Sequence, residues 1–101
     1  MRRSVVWLLL LFTMACGVRA QSPEALNLRS LAASCAQCHG TDGRAAAGSA
    51  VPSIAGMPKD HLVTQLKDFK AGSRPSTVMT QLAKGFSDAQ LEQLAEYFSR
   101  R

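Results

Sequence analysis

The chain has 101 residues, 47% of them hydrophobic and 19% charged, with a formal net charge of +5. That length holds one small domain and excludes two. No run of lysine or arginine and no interleaving of basic with aromatic residues occurs, so nucleic-acid binding has no support.

The first stretch, "MRRSVVWLLLLFTMACGVRAQ", reads as an address label. Two arginines precede an apolar run from Val5 to Ala15, and Val18-Arg19-Ala20 supplies a small-residue cleavage site. This order is that of a secretory signal peptide. The apolar run is about half the length that a membrane-spanning helix needs, so no membrane span is expected. The organisation expected is a signal peptide over 1–20 and one domain over 21–101, delivered to the periplasm. "TMAC" offers a competing lipoprotein reading through Cys16, disfavoured because Thr13 stands where such sites carry leucine. Cleavage after Ala20 removes Arg2, Arg3 and Arg19, leaving nine basic residues against seven acids and a net charge of +2. The remaining excess does no more than bias encounter with an acidic partner. At 81 residues, the exported domain is in the range where small cores need a staple. Cys35 and Cys38 alone close too short a loop to provide one.

The remaining pattern is helical, with no alternating strand-like run. Leu28, Leu31, Ala32 and Cys35 recur at helical spacing and lead into "SCAQCHGTDG". "GTDGRAAAGSAVPSIAG" follows, a long weakly patterned loop of small residues, of a kind that is either disordered or functional. Pro58 suits the first turn of a second helix whose apolar face is Leu62, Leu66 and Phe69, ended by Gly72. A turn and a short helical piece carry Met79, Leu82 and Ala83 as far as Gly85. Ser87 and Gln90 form a capping box for a last helix with Leu91, Leu94, Ala95 and Phe98 on one face.

"CAQCH" admits three readings. A redox dithiol wants a strand–helix–strand setting, which this pattern does not offer. A structural zinc site wants four ligands in two short-spaced pairs; His61 has no neighbour to complete a second pair with Cys35, Cys38 and His39, though zinc stays open. The third reading is a c-type haem attachment site. Two thioethers, Cys35 and Cys38, reach the two vinyl groups along one macrocycle edge, and His39 presents its imidazole to the iron. Export agrees with covalent haem attachment. The distal ligand is then a methionine or histidine. Met57, just before Pro58, is assigned to core packing. Met79, forty residues beyond His39 in a turn-rich segment, is assigned to the iron. His61 is assigned to the surface or to the propionate side.

"CAQCHGTDG", "PSIAG", "LVTQLKDFKAGSRPSTVM" and "FSDAQLEQLAEYF" together resemble the class I c-type cytochromes, over nearly all of the chain from Leu28 onward. Within that family, "PSIAG" and "MTQLAKGFSD" are most similar to the cytochrome subunit of flavocytochrome c sulfide dehydrogenases. The resemblance implies an all-α small cytochrome c fold, about four helices around one covalently attached haem c. It implies that Met79 is the distal ligand and that the Pro52 carbonyl receives the other imidazole N–H of His39. It also implies that the first and last helices cross, bringing Leu28 and Leu31 near Leu94 and Phe98. Arg74, in a "GSR" turn, is a candidate propionate contact, against the equal alternative of a solvated turn residue. Two-haem relatives carry a second C-x-x-C-H; this sequence has one, which implies a single-haem form.

With both axial positions filled, such a protein transfers single electrons and is no enzyme on its own. Ala45, Ala46, Ala47 and Ala50 are candidates to line an exposed haem edge, where a small apolar contact suffices for a redox partner. Three functions follow as expectations: a haem subunit accepting electrons from a flavoprotein sulfide dehydrogenase, a diffusible electron carrier to an oxidase or reductase, and a haem-based gas sensor in which Met79 is displaced.

Overall fold

Ser22 starts the first helix, α1, Pro23–His39. Its hydroxyl accepts the Ala25 N–H at 3.2 Å, and Pro23 sits in the first turn, where its missing N–H costs nothing. These coordinates belong to a computed structural model that describes Gly17 and residues 19–101. Most of the expected signal segment, including Cys16, lies outside the described residues. Gly40 ends α1 with φ at 86° and its N–H on the Ala36 carbonyl at 2.9 Å. A single 3-10 turn follows at Thr41–Gly43.

The next helix, α2, runs over Lys59–Ala71. Pro58 caps it instead of entering its first turn: its backbone is extended, at φ −54° and ψ 135°, and its carbonyl accepts the Leu62 N–H at 3.0 Å. The short α3, Met79–Lys84, buries Ala83 and stops at Gly85. The last helix, α4, spans Asp88–Ser99. Its capping box closes as the spacing of Ser87 and Gln90 predicts, with bonds of 3.2 and 2.9 Å. Among the described residues there are four α-helices and no strand, so the all-α expectation holds.

Helix α4 is the centre of the core. Leu91, Leu94, Ala95, Tyr97 and Phe98 are all buried. Ala32 of α1 and Leu62 of α2 join them, with Leu28, Leu31, Cys35, Ile54, Met57, Val63, Leu66 and Phe86 packed around. Contact of α1 with α4 is thus made through the residues that the pattern selects, and Met57 is a packing residue of this cluster. Phe98 and Tyr97 meet edge to face, ring centroids 5.1 Å apart, an arrangement that suits the aromatic quadrupoles.

Three ion pairs align α2 with α4: Lys59–Glu96 at 3.0 Å, Lys67–Glu92 at 2.8 Å and Lys70–Asp88 at 2.8 Å. Residue numbers rise along one helix as they fall along the other, so the two run antiparallel. Lys70 holds the Asp88 carboxyl below the ordinary aspartate range, and Lys59 does the same for Glu96. These exposed pairs set register more than they add stability.

The loop from Arg44 to Pro58 has no regular structure yet is closely tied. The Gly43 carbonyl accepts both the Ile54 N–H, at 2.8 Å, and the Ala55 N–H, at 3.1 Å. Ser53 Oγ takes the Ala45 N–H at 2.9 Å. Gly56 N–H reaches the Phe98 carbonyl of α4 at 2.9 Å. Gly43 makes this return possible. Its φ is 82°, and a Cβ there would stand 2.8 Å from Phe98 Cδ1 and 2.9 Å from Ile54 Cγ1. Gly43→Ala therefore combines a disfavoured backbone with overpacking, each costing roughly 1–3 kcal/mol. Thermal melting of the variant should show a loss of several degrees or more; an unchanged melting temperature would contradict this account of the loop.

Candidate haem-attachment site

Cys35 and Cys38 lie in the last turns of α1, and His39 is its final residue. A separation of three puts the two thiols on neighbouring positions of one helix face. Cys35 is half-buried and packs on the core, whereas Cys38 is exposed. Burial pushes the Cys35 thiol up from its ordinary value. A reactive dithiol needs the opposite, a thiol stabilised as thiolate, so the environment disfavours the redox-dithiol reading. Among the described residues no three of His, Cys, Asp and Glu converge as a cation site, which disfavours zinc.

His39 is held from behind. Its Nδ1 lies 2.6 Å from the Pro52 carbonyl oxygen. A carbonyl only accepts, so Nδ1 carries the proton and donates it, and Nε2 is left with its lone pair. A strong acceptor behind the ring increases its donor power toward a metal. The geometry depends on two features already described. Gly40 lets the chain leave α1 sharply: a Cβ there would fall 1.9 Å from the Arg44 carbonyl oxygen. The Gly43 carbonyl then gathers Ile54 and Ala55 and so places Pro52, two residues earlier, against the imidazole.

Met79 is half-buried at the start of α3. The turn before it is closed by Ser76, whose Oγ accepts the Thr80 N–H at 2.9 Å and meets Thr80 Oγ1 at 2.8 Å. Beside Met79, Val78 remains 55% exposed and Leu82 50%. Ala46, Ala47 and Ala50 of the loop are exposed too, while Ala45 is half-buried. Arg74 extends its guanidinium over the Phe69 ring, 4.6 Å from the centroid, a cation–π contact. Exposed His61 pairs with Gln65 one turn along α2.

Sequence reasoning missed a second cluster beside the site. Tyr97 Oη donates to Asp42 Oδ1 at 2.8 Å. Arg101 stacks over the Tyr97 ring at 3.9 Å and brings Nε to 4.0 Å from the same carboxylate oxygen. The available signals were a tyrosine beside the apolar stripe of α4, whose polar tip needs a partner when buried, and an aspartate in "TDG", a residue type that tolerates a left-handed turn.

These residues fit a haem. Two thiols at helical spacing suit attachment to two vinyl groups, and an imidazole fixed in the tautomer that leaves a lone pair is a donor of the kind that holds haem iron. Val78 and Leu82 leave apolar surface uncovered by protein, and covering it with a macrocycle recovers on the order of 1 kcal/mol each. The fold and this donor set define a small c-type cytochrome domain.

The comparisons with known proteins agree. A family model described as "Cytochrome C oxidase, cbb3-type, subunit III" matches residues 28–98, and the chain belongs to this family of cytochrome c domains. It is 50% identical to the cytochrome subunit of sulfide dehydrogenase from Chlorobaculum tepidum, over 67% of this chain and 60% of that protein. It is 34% identical to cytochrome c4 of Azotobacter vinelandii, over 98% of this chain and 50% of that one. A solved cytochrome c4 structure from Acidithiobacillus ferrooxidans superposes with a TM-score of 0.62 at 37% identity, covering 66% of this chain and 38% of that one. The chain thus spans about half the length of the curated relatives it matches. Its relatives are electron-transfer cytochromes, not catalysts by themselves, and it carries haem c covalently, one for its one C-x-x-C-H segment with Cys35 and Cys38.

Proposed function

We propose that the chain is the haem subunit that accepts electrons from a flavoprotein sulfide dehydrogenase in the periplasm. The observation that carries this reading is the 50% identity to the Chlorobaculum tepidum subunit. The arginine-led apolar segment ending near Ala20 supports export as a signal peptide, and the domain then begins at Gln21. Among the described residues no helix is long and apolar enough to cross a membrane.

When bound, the haem supplies a one-electron ferric–ferrous couple. Cys35 and Cys38 would hold it through thioether bonds, so that it could not dissociate between transfers. His39 would offer its Nε2 lone pair to the iron, and the Pro52 carbonyl keeps that ring from rotating. Met79 would supply its sulfur as the second iron ligand, a soft donor that would favour the ferrous state and raise the potential. Val78, Leu82 and the loop alanines would help keep water from the iron while leaving a short apolar patch through which a partner can approach. Arg74 is the candidate propionate contact, a role that would require its side chain to leave the Phe69 ring or to bridge both.

Met79→Ala tests the distal assignment. The absorption spectrum should show loss of the sulfur ligand, and the midpoint potential should fall substantially. An unaltered ferric spectrum and potential would remove Met79 from the iron. The partner is tested by affinity purification from the native periplasm. Haem bands accompanied by flavin absorbance in a larger co-purifying chain are the expected result. Haem bands alone would overturn the subunit reading in favour of a diffusible carrier, the reading that the likeness to cytochrome c4 supports.

A further inference from the structure

The bond between Tyr97 and Asp42 joins α4 to the turn that directly follows His39. Asp42 is the one non-glycine described residue in the left-handed region, at φ 53°, a conformation with a steric cost for any residue bearing a Cβ. Its side chain accepts the Tyr97 hydroxyl at 2.8 Å and faces the Arg101 guanidinium. The turn that Asp42 occupies is bonded back toward the site, since the Gly43 N–H donates to the Gly40 carbonyl at 2.9 Å. Gly40 is the residue after His39. The carbonyl of Gly43 in turn gathers Ile54 and Ala55, and through them Pro52.

The other end of the same loop is held by the neighbouring residue of α4, as the Phe98 carbonyl accepts the Gly56 N–H. Residues 97 and 98 therefore grip both ends of the segment that delivers the Pro52 carbonyl. The backbone half of this grip is available to any residue at position 98. The half made by Tyr97 is a side-chain choice: phenylalanine would fill the same space and pack equally well beside Phe98. The hydroxyl is spent on orienting Asp42.

We propose that Tyr97, acting through Asp42, is a positioning residue for His39, setting how firmly Pro52 accepts the Nδ1 proton and hence the electron-donor strength of the imidazole. The inference rests on the assignment of His39 as an iron ligand. Without the hydroxyl, Asp42 has less reason to stay left-handed. The turn then relaxes, and the Gly43 and Pro52 carbonyls lose their alignment. A weaker bond from Nδ1 makes His39 a poorer donor, which stabilises the ferric state less and moves the potential upward.

The test compares wild-type holoprotein with Tyr97→Phe by potentiometry and by proton NMR of the His39 ring. The expected result is a more positive midpoint potential, a displaced Nδ1–H resonance and exchange of that proton roughly two- to tenfold faster, the ordinary worth of one hydrogen bond. Asp42→Asn keeps an acceptor oxygen and should stay near wild type, whereas Asp42→Ala should reproduce Tyr97→Phe. Should Tyr97→Phe fail to fold, the two Asp42 variants carry the same comparison. A lowered melting temperature with the potential and the Nδ1–H signal unmoved would overturn the proposal, leaving Tyr97 a stability contact only. Absence of iron-shifted His39 signals in the wild type would instead refute the ligand assignment, and with it the proposal.

Discussion

The hydrogen bond from His39 Nδ1 to the Pro52 carbonyl, at 2.6 Å, is the constraint on which the site depends. An imidazole at the end of a helix can rotate and can carry its proton on either nitrogen. A fixed carbonyl behind it removes both freedoms, leaving Nε2 as a pre-oriented donor. To supply that carbonyl the chain must turn back within thirteen residues, which explains why a loop of small residues needs so many backbone bonds. Gly40 and Gly43 allow the two close approaches. Helix α4, through Tyr97 and Phe98, holds the ends.

The same helix organises the core, so stability and site geometry share one element. Leu94, Ala95 and Phe98 face α1 and α2, while Glu92 and Glu96 reach the lysines of α2 from the solvent side. The protein core is nonetheless small, and it includes no cover for Val78 or Leu82. A domain of this size that leaves Val78 and Leu82 uncovered beside Met79 has apolar surface that a haem would help to bury. Covalent attachment at Cys35 and Cys38 makes that burial permanent. The single fold thereby solves two problems, holding a redox centre and acquiring enough buried surface to fold.

What could be read from sequence was local or periodic. The C-x-x-C-H spacing, the Ser87–Gln90 cap, the apolar face of α4 and the packing of Met57 all follow from residues within a few positions of one another, or from helical period. The contacts that escaped reading span long stretches of chain. Tyr97 and Asp42 are 55 residues apart, and nothing in "TDG" announces a phenol as partner. Gly43 is readable as a turn glycine, but its contact with Phe98 is visible only once α4 is in place. The lysine–carboxylate register between α2 and α4 requires their antiparallel packing, and the stacking of Arg74 on Phe69 requires the turn after Gly72. For the same reason a propionate role for Arg74 rests on the family resemblance and not on spacing.

The most direct test of the central claim, that "CAQCH" is a covalent haem site ordered by the Pro52 loop, is mass spectrometry of the chain purified from the cell envelope. The account predicts a mass increase of one haem on the intact chain, located by digestion on the single peptide that contains Cys35, Cys38 and His39. Recovery of that peptide with two free, alkylatable thiols would contradict it.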